Sequence, residues 1–241
     1  SGTFYDLEIN ISSFGSGINI LAANCIVTND LTLTVLDAFN GLKIAVGRNV
    51  IFTETGFSGS GTLLLNGTGS QTLSVNGAGV CGVPLEINKV SGTCSLASNL
   101  TITGGSNNLT INNGEMIISG FNLTVPNLFT VKGKLTLLGT ETVTVSGSSV
   151  GHANFTFPTG STVEFTGAGT ATLTNYSKTF YNVILGASKT HEIATGVGNG
   201  ITVNGTLSSA GTSGTQSILR SVSNAAVARI SGSAPISDQA R

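Results

Sequence analysis

The chain of 241 residues contains no Trp, one Met, three Cys and four Pro. Charged side chains make up only 9% of it, against about 25% in an ordinary soluble domain. The ten basic and eleven acidic residues are scattered. No Lys/Arg cluster exists to neutralise phosphates, which argues against a nucleic-acid partner. No apolar run approaches the roughly 18 residues of a membrane helix, so no helical membrane insertion is expected. The start, Ser1-Gly2-Thr3-Phe4, lacks the basic and apolar regions of a signal peptide, and is expected to be a mature N-terminus or a cut through something longer. Strong helix formers are diluted by β-branched residues and turn formers, which leaves an all-β chain. An apolar content of 39% sets it apart from disordered chains.

The cysteines allow at most one internal disulfide. Cys81 and Cys94 are close enough in sequence to pair, while Cys25 sits in the apolar run Cys25-Ile26-Val27. The alternative is three buried thiols, since cysteine is among the most buried residue types. Their spacing is not that of a zinc site, and no metal or cofactor is expected.

What is present is alternation. Leu31-Thr32-Leu33-Thr34-Val35, Leu100-Thr101-Ile102, Leu109-Thr110-Ile111, Leu123-Thr124-Val125, Val143-Thr144-Val145 and Ile201-Thr202-Val203 each place apolar side chains on one face and small polar ones on the other. That is the period-2 signature of half-buried strands. Asn-Gly pairs at 40–41, 66–67, 76–77, 113–114, 199–200 and 204–205 supply corners, because both residues tolerate left-handed backbone.

Two repeats are nested in this pattern. Steps of about 20 residues connect Leu63, Val83, Leu123, Val143, Val163, Val183 and Val203, with a miss at Thr103. A repeat of that length holding several short strands suits one coil of a β-solenoid. A longer repeat links Thr3-Phe4-Tyr5-Asp6-Leu7-Glu8-Ile9-Asn10 with Val83-Pro84-Leu85-Glu86-Ile87-Asn88 and with Thr179-Phe180-Tyr181-Asn182-Val183-Ile184-Leu185. The expectation is one continuous array over 1–241, with multi-coil units near 1–80, 81–177 and a partial 178–241. About twelve coils are expected. The competing architecture is an array of immunoglobulin-like β-sandwiches, since Asn-Gly turns also close hairpins.

The phrases Gly-Thr-Gly-Ser-Gln-Thr-Leu (67–73), Leu-Glu-Ile-Asn-Lys (85–89), Leu-Ala-Ser-Asn-Leu-Thr-Ile-Thr-Gly (96–104) and Thr-Phe-Tyr-Asn-Val-Ile-Leu (179–185) resemble repeat regions of very large prokaryotic cell-surface proteins, in the style of haemagglutinin-like adhesins and autotransporter passengers. The resemblance implies a right-handed parallel β-helix and an extracellular, cell-surface setting. It is one of repeat texture, so it carries over no catalytic or binding residue.

Catalytic tools are scarce. His152 and His191 are the only side chains that titrate near pH 7 unperturbed, and neither has a partner at a recognisable spacing. Gly147-Ser148-Ser149-Val150-Gly151, followed by His152, matches a nucleophile elbow formally, but nothing after it looks helical. Asp6 and Glu8 would share a strand face and could act as an acid/base pair or hold calcium; as solvated outward charges they would oppose sheet aggregation. Glu54, Glu115, Glu141 and Glu164 are isolated in sequence. Asn-x-Ser/Thr sequons occur at Asn10, Asn66, Asn99, Asn108, Asn122, Asn154, Asn175 and Asn204; stacked internal Asn side chains forming ladders at the corners explain them at least as well as glycosylation does.

The function expected is structural: a non-enzymatic β-solenoid subunit or segment of a surface fibre, sheath or stalk, associating end to end or continuing in a longer chain. The alternatives are an adhesin segment binding a glycan or a neighbouring cell surface and, less favoured, a polysaccharide-active enzyme.

Overall fold

The computed structural model describes residues 2–10, 18–21, 24–35, 39–41, 43–53, 58–76, 80–147, 149–151, 155–167, 170–174, 177–193, 200–211, 215, 217–221, 230–231 and 236–237. Among them there is no helix, and the strand pairings are parallel. Consecutive windings of the chain therefore lie over one another as a β-solenoid. Parallel pairing rules out the immunoglobulin-like alternative, whose neighbouring strands would be antiparallel.

Equivalent positions continue from coil to coil. On the first face the rungs pass in register from Gly2 to Cys25, Ile44, Leu63, Leu85, Leu109, Phe129, Ser149, Leu173, Ile193 and Ser221. A second face runs through Leu7, Leu31, Val50, Leu73 and Leu96. The long strands Leu85–Leu96 and Leu109–Ile117 bend through both faces and join them into one 17-stranded sheet. The third face is an eight-stranded sheet that begins at Val80–Cys81 and ends at Ile236–Ser237.

The coil count differs from expectation. The eight-stranded sheet, which covers residues 80–237, closes about seven turns, and the first face stacks eleven rungs between Gly2 and Ser221, so twelve uniform coils are not formed. Twelve coils would require a uniform period of about 20 residues, and many coils are longer. Leu123, Val143, Val163 and Val183 do stack at that interval. Leu63, however, lies opposite Leu85 instead of Val83, and Val183 opposite Leu207 instead of Val203. The longer repeat is also out of step with the coils. Leu7–Ile9 lies on the second face, Leu85–Ile87 on the first and Val183–Leu185 on the third. The recurring phrase thus marks a corner followed by a strand, and not a whole number of coils.

One apolar column fills the interior. Val27, Val46, Leu65, Ile87, Ile111 and Val131 follow one another in register, and all are wholly buried. Their polar neighbours in sequence point outward, which is why alternation was readable. Phe165 and Phe157 pack on Phe180, with ring centroids 6.5 and 4.9 Å away, so the recurrent Phe of the longer phrase is core at this copy.

The corners impose a second requirement. A Cβ on Gly67 would stand 1.8 Å from the Gly47 carbonyl oxygen of the coil before it, whereas one on Gly69 would meet nothing within 4 Å. Gly67→Ala is expected to cost about 1–3 kcal/mol, as overpacking against backbone does. Gly69→Ala should change stability by about 0.5 kcal/mol or less. Chemical denaturation of the two variants checks the pair.

Candidate functional site

Two kinds of polar group carry the chemistry of this chain: a ladder along the outer corners and isolated side chains inside the core. The ladder is repetitive. The Asp6 carboxylate accepts the Asp30 N–H, Asp30 accepts the Asn49 N–H, and the Asn49 side-chain oxygen accepts the Thr72 N–H. At another corner Asn99 accepts from Asn122, and Asn122 from Thr142. Asn182 accepts from Thr206 in the same way. Short Asx side chains reach the backbone of the following coil where the strand ladder is interrupted, so corner N–H groups stay satisfied. These ladders line the outer corners and are mostly exposed, and they join side chain to backbone; they are not the internal stacks expected.

The paired carboxylates are spent on this ladder. Asp6 also accepts the Asn29 amide at 2.6 Å, and Glu8 accepts the Thr34 hydroxyl at 3.1 Å. Glu86, which matches Glu8 in the longer repeat, binds Lys43 and the Asn112 amide. Glu164 accepts from Thr144. Glu115 bonds Lys134 at 2.8 Å and Thr136 at 2.6 Å, and these two contacts hold its carboxyl below the usual range. Among the described residues no cluster of three or more His, Cys, Asp or Glu could hold a metal ion. Glu54 lies outside the described residues.

The elbow-like segment has the wrong local structure. Ser149–Gly151 is a strand paired with Phe129–Val131, not a strand-to-helix turn. Ser148 and His152 lie outside the described residues, as do the sequons at Asn154 and Asn175. Of the two readings of the cysteines, the possible Cys81–Cys94 disulfide is corrected. Cys25, Cys81 and Cys94 are free, buried thiols. Cys81 belongs to the third face, opposite Ile102, and Cys94 to the second, opposite Gln71. Residues close in sequence thus lie on different sheets. Burial pushes the Cys81 thiol up to about 11 and Cys94 up to about 12.

Among the described residues, five polar residues are at most 1% exposed: Ser161, whose hydroxyl donates to the Pro158 carbonyl, and the larger Gln71, Lys89, Glu141 and His191. The Lys89 ammonium donates to the Gly67 carbonyl (2.6 Å), the Gly69 carbonyl (2.8 Å) and the Gln71 side-chain oxygen (2.6 Å). That same Gln71 oxygen accepts the Gly67 N–H at 3.0 Å, while the Gln71 amide donates to the carbonyls of Val46 and Arg48. The result is a closed knot linking three coils. Burial pushes Lys89 below its ordinary value, opposed by the nearby Cys94.

Glu141 is an internal anion cradle. Its carboxylate accepts the N–H groups of Gly120 (2.9 Å), Leu138 (2.8 Å) and Gly139 (2.6 Å). Burial raises its pKa, but backbone donors of Leu138, Glu141, Gly139 and Gly120 outweigh that and hold it below the usual range. His191 has no such support: neither ring nitrogen makes a hydrogen bond of normal geometry. Burial pushes the imidazole down, the adjacent Gly186 backbone pulls it back, and the Lys189 charge lowers it again.

The period-2 pattern contained a signal for this set. Lys89 continues Leu85-Ile87, Gln71 precedes Leu73-Val75, and Glu141 precedes Val143-Val145, always in the inward phase. What the alternation could not reveal was which coil supplies the partner. Comparison of the chain with protein-family models, curated proteins and solved structures finds no match.

Two outcomes are expected. Glu141→Ala leaves at least three backbone donors unsatisfied and should cost about 1–3 kcal/mol for each that water cannot reach, read as a fall in the denaturation midpoint. His191 has a folded pKa below its unfolded value, so the unfolded chain binds the extra proton first. Stability should fall as pH drops through about 6.5, and His191→Leu should flatten that part of the stability–pH curve.

Proposed function

We propose that this chain is a structural segment of an extracellular fibre, sheath or stalk, wound right-handed, with stiffness as its product. The handedness follows the strong preference of parallel crossovers for the right-handed path. The observation that carries the functional reading is the use made of polar side chains. The Asx corner ladder, the Lys43–Glu86 and Lys134–Glu115 pairs, and the Arg220–Glu192 pair at 2.7 Å all tie one coil to another. Asp6 and Glu8, the carboxylate pair weighed for catalysis, are bound into those same contacts.

A β-solenoid is suited to this work because its backbone ladders run along the rod, so a load on the axis is spread over many hydrogen bonds at once. The low charge and the outward Thr, Ser and Asn residues give a surface that stays hydrated without strong fields. The texture shared with prokaryotic surface proteins supports the extracellular setting.

Negative-stain electron microscopy of the purified chain over a range of concentrations tests the reading. Straight rods that lengthen end to end with concentration are expected. Compact particles lacking any long axis would overturn it.

A further inference from the structure

The Lys89 knot brings an amine, a carboxamide and a polarising donor into one dry place. Lys89 Nζ lies 2.6 Å from Gln71 Oε1, and both residues are almost fully buried. The Gln71 carboxamide cannot rotate, because its amide is anchored by the Val46 carbonyl at 2.9 Å and the Arg48 carbonyl at 2.6 Å. Its oxygen also receives the Gly67 N–H, a backbone donor placed where negative charge would develop during attack on the carbonyl carbon. Proximity of this kind replaces a bimolecular encounter by a unimolecular step.

From this geometry we infer that Lys89 and Gln71 form an intramolecular isopeptide cross-link between successive coils. The Nζ–Cδ bond forms, one Nζ proton passes to Nε2, the Cδ–Nε2 bond breaks, and the side-chain nitrogen of Gln71 leaves as ammonia. Free amine plus carboxamide gives substituted amide plus ammonia, so atoms and charge balance without an oxidant or a co-reactant. Two nucleophiles border the carboxamide, since Cys94 is the register neighbour of Gln71. The thiol is pushed up to about 12 and stays protonated, whereas burial moves Lys89 toward the free amine. The three oxygens around Nζ match the three protons of the ammonium form, which is therefore the resting state. Reaction proceeds from the amine that forms when a proton is lost, so the yield rises with pH.

The inference does not depend on the fibre reading, because a monomeric rod would carry the same bond. The test is mass spectrometry of the full chain after prolonged incubation at about pH 7 and about pH 9.5. A fraction lighter by one ammonia is expected, larger at the higher pH, and absent from Lys89→Met and Gln71→Met. Asn-Gly corners lose ammonia too when they close to succinimides, so the bond must be located. Trypsin cannot cut at an acylated lysine. The cross-linked form should therefore yield a peptide from Asn49 to Lys132 that is uncut at Lys89 and lighter by one ammonia. Complete cleavage at Lys89 in natively folded wild-type protein at both pH values overturns the inference, whether or not the variants fold. So does an ammonia loss that maps only to Asn-Gly sites.

Discussion

The structure depends on one constraint: each coil must find its hydrogen-bond partners in the coils before and after it. A parallel ladder satisfies this for strands, and it repeats only if inward side chains of successive coils stack in register. The column from Val27 through Val46, Leu65, Ile87, Ile111 and Val131 shows the constraint met without a polar atom. At corners the ladder is broken, and short side chains take over. Asp30 and Asn49 act as extensions of the backbone, each accepting the N–H of the coil that follows.

This explains which features could be read from residues alone. Alternation in Leu123-Thr124-Val125 and Val143-Thr144-Val145 is a local property, enforced by the pleat, and these strands do pair in register. The Asn-rich corners were legible for the same reason, because Asx side chains have few ways to serve a bent backbone. Coil length was not legible. It is set by how many residues each corner holds, and the ladder tolerates insertions there because they point away from the core. Val83 stands at the correct distance from Leu63 yet yields its place to Leu85. The disulfide reading failed by the same mechanism: Cys94 follows Cys81 by only thirteen positions, and the corner between them moved one to another face.

The buried polar residues were legible in phase but not in meaning. Lys89 sits where the alternation of Leu85 and Ile87 calls for an apolar side chain. On sequence alone such a lysine reads as an end to the strand. In the fold it is the donor for oxygens contributed by the preceding coil, and that pairing is invisible until the coils are stacked. A buried charge without those partners would cost several kcal/mol, so the lysine and its acceptors have to be considered together.

Corners and buried polarity are linked. Between the first and second faces the chain turns within 47–49 in one coil and within 132–133 in another. Between Thr62–Leu65 and Gln71–Val75 the turn takes 66–70 instead. A longer corner carries more carbonyls than the adjoining strands can serve, and Gly67 and Gly69 lie within it. Lys89, one coil later, supplies donors to both, and Gln71 closes the set from the end of the same corner. Glu141 does the converse, collecting the N–H groups of Gly120, Leu138 and Gly139 where the second face gives way to the third. Gln71, Lys89 and Glu141 thus enter this core at corners whose backbone groups the adjoining strands leave unserved. A polar side chain in the inward phase of an alternating run is therefore the mark that such a corner leaves on the sequence.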